Sequence, residues 1–252
     1  MTADETSSFD KTNTYLISSD ETILIDPASQ SDKLDAKIKE IGGIDHVMIT
    51  HTHPDHISGL SHYGSKEEIT VWGHQSYVSR FEDMTGIVPD ATFYQNTTVD
   101  LGDEKITIDY LPGHAPDHVA FRMNGRVISG DLLFAHSSSY IGRSDGDMRA
   151  YLTSLRRLLA ISPTMLYPGH GKIISDPSRR ITEMIKHRID REKKILAAVQ
   201  NGYRSLPEIV NQVYEKDIDD NATLAAETVK AHLQKLAIEK KINCKEFSFQ
   251  IK

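Results

Sequence analysis

His46-Val47-Met48-Ile49-Thr50 runs straight into His51-Thr52-His53-Pro54-Asp55-His56, an apolar, β-branched strand pattern that empties into three imidazoles and a carboxylate within six residues. Loops at the carboxyl ends of strands in an α/β sheet are where ligands gather. Alternate residues of an extended segment share a face, so His51 and His53 can point at one ion. Asp55 and His56, entering the next turn, can reach a second. Imidazole nitrogen and carboxylate oxygen are the donors of zinc and other first-row divalent ions, so further donors should stand at other strand ends. Three do: His114, Asp131 and His170, each preceded by glycine and each following a strand pattern.

The strand patterns start at Asn13, Thr22, His46, Ile69, Ile106 and Thr164. Val119–Met123 and Arg126–Gly130 flank Asn124-Gly125, the favoured pair for a type I′ hairpin turn. Helices are expected over 31–43 and from Asp147, a good N-cap, through 160. Alternation of strands and helices gives an α/β fold class.

The sextet, the later Gly113-His114, Ser129-Gly130-Asp131 and Pro168-Gly169-His170-Gly171, in this order, resemble the metallo-β-lactamase superfamily. The resemblance implies the αββα sandwich, two sheets with helices outside. It implies that His51, His53 and His114 hold one metal, that Asp55, His56 and His170 hold the other, and that Asp131 bridges. Two divalent metal ions are implied, zinc first, with Mn2+ or Fe2+ as alternatives. Ions sharing a water lower its pKa from about 15.7 to near 7, and no side-chain nucleophile is then needed. Asp55 is assigned a catalytic role as well, orienting that water or accepting its proton. His118, in a stretch resembling one that lies near substrate in the family, is a candidate substrate-binding residue. The family more often has threonine where this chain has Ala115. Asp117, in the same stretch, is expected to be dispensable for metal, and His46, His62, His74, His187 and His232 are read as surface or supporting residues.

The chain has 252 residues, 38% hydrophobic and 26% charged, as in an ordinary globular protein. Its formal net charge of -7 argues against a strong phosphate-neutralising surface. One cysteine, Cys244, rules out an intrachain disulfide and is read as structural. Residues 1–13 are polar and acidic, unlike a secretory signal, and no apolar run reaches the roughly 20 residues of a membrane span. A cytoplasmic location without membrane contact is expected. HExxH, CxxC and a phosphate-binding GxxxxGK[ST] are absent, which removes the nucleotide-binding reading.

Beyond Pro177 the texture turns helical, and the order helix, helix, helix, terminal strand is that of a small winged-helix unit. The expected division is a catalytic domain over 1–177 and a C-terminal domain over 178–252. From Ile181 onward there are 13 Lys and Arg against 11 Asp and Glu, while the first 180 residues carry 16 against 25. Two resemblances compete for the substrate. Residues 129–158 look like the glyoxalase II branch, which hydrolyses thioesters. The tail is similar to β-lactamase-like proteins with a C-terminal winged helix, some of them endoribonucleases. A small ester or thioester is the leading substrate, single-stranded RNA the alternative, and an iron-dependent persulfide dioxygenase, suggested by residues 142–145, the third. Homodimerisation is left open.

Overall fold

The structure, a computed structural model, describes residues 11–65, 67–102, 104–142, 145–214 and 222–243. Its first sheet has the order β1-β2-β3-β4-β5: β1 (Tyr15–Ser18), β2 (Thr22–Ile25), β3 (His46–Met48), β4 (Thr70–His74) and β5 (Ala91–Phe93). Apart from the antiparallel β1–β2 hairpin, these strands pair parallel. Parallel strands need crossovers, which α1 (Asp32–Glu40), the short α2 (Pro54–Ile57) and α3 (Leu60–Tyr63), and α4 (Val78–Thr85) supply. Ser31 caps α1, its hydroxyl accepting Leu34 N at 3.1 Å.

The second sheet has the order β10-β9-β8-β7-β6, built from β6 (Thr98–Asp100), β7 (Lys105–Tyr110), β8 (Val119–Met123), β9 (Arg126–Gly130) and β10 (Met165–Pro168). The β8–β9 hairpin turns at Asn124 (φ 48°) and Gly125 (φ 75°), both left-handed as a type I′ turn requires. α5 (Met148–Ile161) crosses from β9 to β10, and Asp147 caps it by accepting Arg149 N and Ala150 N at 2.7 and 2.9 Å. α6 (Pro177–Gln200), α7 (Leu206–Tyr214) and α8 (Ala222–Ile238) complete the described chain.

Three apolar layers produce the expected sandwich. Ile23, Ile25 and Met48 of the first sheet meet Ile106, Phe121 and Ile128 of the second in one cluster. Leu24 and Val47, on the opposite pleat, pack on Leu60, Tyr63 and Phe81 of the outer helices. Ala120 and Val127 pack on Tyr151, Leu155, Ile181 and Met184. A fourth cluster, including Ile195, Val199, Ile209, Val213, Val229 and Leu233, is private to α6–α8. The tail therefore has its own core, while the start of α6 and Ala231 of α8 belong to the core beneath the second sheet. The expected terminal strand and Cys244 lie outside the described residues. Among the described residues no helix is long and apolar enough to cross a membrane.

β2 and β3 run parallel, as do β9 and β10, and β7 shares the direction of β9 through the antiparallel β8. The ends of β3, β7, β9 and β10 thus open at one edge of the sandwich, where all seven predicted donors lie.

Candidate metal centre

The structure brings His51, His53 and His114 together, likewise Asp55, His56 and His170, with His51, His56 and Asp131 as an overlapping group between them. His51 Nε2 and His114 Nε2 each stand 2.9 Å from His53 Nδ1. The outward ring nitrogens settle which protons these rings carry. His114 Nδ1 donates to Tyr140 O at 2.8 Å and His53 Nε2 to Asp145 Oδ2 at 3.3 Å. Thr50 Oγ1 donates to Asp26 Oδ2 at 2.8 Å and so must accept from His51 Nδ1, 3.0 Å away. Each ring spends its N–H outside the cluster, and three bare lone pairs converge. Such a trio repels itself unless a cation sits among it. Burial pushes His51 well below its ordinary pKa and His114 down to about 4, so neither supplies a proton at neutral pH.

The second group obeys the same rule. His56 Nδ1 donates to Asp26 Oδ2 at 2.8 Å and His170 Nδ1 to Lys11 O at 3.2 Å. Their Nε2 atoms face carboxylates: His56 lies 3.3 Å from Asp131 Oδ1, and His170 lies 3.1 Å from Asp55 Oδ2 and 3.4 Å from Asp131 Oδ2. Burial resists protonation of His170, yet its bonds to Asp131 and Asp55 lift it to about 9. The proton there occupies the place a metal ion takes, and metal must displace it. Asp131 Oδ2 also lies 3.6 Å from His114 Nε2, so this one carboxylate touches both groups. Buried Asp131 Oδ1 and His56 Nε2 have no hydrogen-bond partner among the described residues. These orphaned atoms and bare lone pairs fit two divalent cations.

Close packing fixes the glycines expected before the donors. A Cβ at Gly169 would stand 2.2 Å from Asp131 Oδ1, and Gly130, at φ 47°, would drive one to 2.7 Å from His118 Nε2. Asp55 is the most exposed donor, its side chain 53% accessible. Thr12 Oγ1 donates to its Oδ2 at 3.0 Å. Burial would raise the Asp55 pKa, but His170, His56 and Thr12 together hold it well below the usual carboxylate range.

His118 differs from the expectation of a substrate contact. It is fully buried, donates from Nδ1 to Leu111 O at 3.1 Å and accepts Asp131 N on Nε2 at 3.1 Å. Both nitrogens are occupied, and burial, the leading cause, holds the ring neutral with a pKa of about 3. It orients Asp131 and has no polar atom left for substrate. Asp117, expected to be dispensable for metal, is buried and accepts Thr52 N and Oγ1 at 3.0 and 2.7 Å, pinning the residue between His51 and His53. His74 and His232, read as surface or supporting, are buried.

Sequence reasoning missed Asp26, Arg80 and Asp145. Asp26 is buried, adopts φ 51° and binds Thr50 N at 2.6 Å besides Thr50 Oγ1 and His56. Its signal was a lone carboxylate closing the wholly buried β2. Arg80 joins Thr52 Oγ1 to Asp145 Oδ2, at 2.7 Å each, and so closes a ring behind His53.

The sequence matches the Metallo-beta-lactamase superfamily over residues 8–170, and the chain belongs to that superfamily. It is similar to the Beta-lactamase-like protein 2 homolog of Drosophila melanogaster, 29% identical over 248 residues, covering 92% of this chain and 84% of that one. Thioesterase pkgB of Emericella nidulans is 28% identical over 198 residues, 74% of this chain and 53% of its own length. A metallo-beta-lactamase family protein from Thermus thermophilus has the same fold, with TM-score 0.73, 22% identity and coverage of 92% of this chain and 90% of that one.

Proposed function

We propose that this protein is a binuclear metal-dependent hydrolase acting on a small thioester or ester. The observation that carries the reading is the pair of donor groups meeting at Asp131, each with one nitrogen of every ring bonded outward and the other turned inward. His51, His53 and His114 would hold one ion, and Asp55, His56 and His170 the other. When bound, two divalent ions lower the pKa of a shared water to about 7 and polarise the carbonyl it attacks. Asp55 would orient that water, a role supported by the contacts of Thr12 and His170 with one carboxylate oxygen and by the exposure of its side chain. His118 and Asp26 act behind the donors, the first on the Asp131 backbone, the second on His56 and Thr50.

Similarity to a thioesterase supports the thioester among acyl substrates. Hydrolysis joins the water oxygen to the acyl carbon and breaks the carbon–sulfur bond, releasing a carboxylate and a thiol. The test is metal analysis of purified protein followed by parallel assays on a thioester panel with thiol detection, a phosphodiester reporter, single-stranded RNA and glutathione persulfide. About two divalent ions per chain and thiol release abolished by chelation are expected. One iron per chain with oxygen consumption would overturn the reading, and chelator-sensitive RNA cleavage without thiol release would replace the substrate.

A further inference from the structure

α6 carries a buried stripe of Ile181, Met184 and Ile195, spaced so that the intervening position on the same face is 188. That apolar slot holds Arg188, only 1% exposed. Burying a guanidinium is costly unless it is paired and fully hydrogen-bonded. Among the described residues Arg188 has no carboxylate within ion-pair distance, and its Nε finds no acceptor. A leucine would fill the stripe at lower cost, so the guanidinium must be held for what its protons touch.

Arg188 Nη2 donates to Ser139 O, and its guanidinium carbon lies 5.5 Å from the centre of the Tyr151 ring. One helical face away, Arg180 donates to Phe134 O at 2.8 Å and Ser137 O at 2.6 Å. Two arginines of α6 thus bind three carbonyls of the segment that follows Asp131. That segment in turn grips the donors. Ser139 Oγ donates to Asp131 O and lies 3.4 Å from His114 Nδ1, whose proton goes to Tyr140 O.

We propose that Arg188 is a positioning residue for the three-histidine metal position: by fixing Ser139 it aims the Tyr140 carbonyl at His114 and the Ser139 hydroxyl at the Asp131 backbone. The C-terminal helices then set the affinity of that position without touching substrate. The inference rests on the binuclear reading above, and metal affinity tests it separately from turnover. Partners that orient a ligand change metal affinity by about 10- to 100-fold when removed.

The experiment compares wild type, Arg188→Met, Arg188→Lys and Ser139→Ala by chelator competition for Zn2+, by the visible spectrum of the Co2+-loaded protein, and by thermal unfolding of metal-free protein. Expected are a folded Arg188→Met that binds one of its two ions about 10- to 100-fold more weakly with an altered Co2+ spectrum, and partial recovery in Arg188→Lys. Ser139→Ala, which keeps the carbonyl and loses only the hydroxyl, should weaken the same ion, and Arg188→Lys decides the matter if Arg188→Met does not fold. Wild-type affinity and spectrum in the folded variants would overturn this inference alone. Wild-type protein that takes up no metal would overturn both it and the hydrolase reading.

Discussion

At the scale of single residues, proton placement explains the centre better than proximity does. His51, His53, His56, His114 and His170 each have one nitrogen committed to an oxygen outside the cluster, which turns the other inward, bare in the three-histidine group and facing carboxylates in the second. The Asp131 carboxylate reaches donors of both groups. Asp131→Ala should therefore lose metal and activity together, with metal affinity falling by more than about 100-fold, beyond the range for outer partners. Asp117→Ala, which frees Thr52 between two donors, should weaken metal by about 10- to 100-fold despite lying outside the donor set. Titration of Zn2+ against a chromogenic chelator checks both, and full metal retention by Asp131→Ala would refute its bridging position. The seven residues that the fold gathers were legible in the sequence as candidates because they stand in dense clusters or behind glycine at strand ends. Asp26, Arg80 and Asp145 were not, because each is a single polar residue whose partners lie far along the chain, as in the 65-residue separation of Arg80 and Asp145.

At the scale of elements, legibility followed length and chemistry. The β8–β9 hairpin was readable because Asn124-Gly125 is suited to two left-handed residues in succession, and α5 because Asp147 announces it. β5 and β6, three residues each, and the four-residue α2 and α3 are too short for periodicity to register. The buried arginine on α6 was not legible for another reason: in the run 185–194 it stands among exposed and half-buried charges, and nothing in the sequence marks it off from them. Capping offers an element-level test away from the metals. Asp147→Ala removes acceptors for two backbone N–H groups of α5 and should cost about 1 kcal/mol in urea unfolding. Its Zn2+ affinity should stay within about twofold of wild type, since outer partners of the donors are what shift affinity by ten or more. A tenfold loss would mean that the start of α5 is part of the centre's support.

At the scale of the whole molecule, charge separates the substrate readings through the tail. Among the described residues, several of its acidic groups are engaged with its basic ones: Lys235 binds Glu192 and Glu239 at 2.8 and 2.9 Å, Lys241 binds Glu239 at 2.7 Å, and Lys193 binds Asp190 at 3.0 Å. One consequence is acid sensitivity. Burial would raise the Glu192 pKa, but His232 and Lys235 outweigh it and hold the carboxyl down at about 2, below its ordinary 4.5. The stabilisation is thus complete above pH 4.5 and drains away as pH falls towards 2, and Glu192→Gln should flatten that part of the stability–pH curve. The other consequence concerns nucleic acid. An RNA-cleaving enzyme needs cations free to neutralise phosphates, and its binding weakens steeply between about 50 and 200 mM salt. Lysines already matched by carboxylates of the same tail offer little such charge. Reversing Lys193, Lys194 and Lys240 to Glu should accordingly change kcat/KM for a small thioester less than about twofold, and added salt should change it little, because a short substrate does not reach beyond the metals. Single-stranded RNA cleavage that falls steeply with salt, disappears on lysine reversal and requires metal would overturn this assignment and make the tail a phosphate-binding surface.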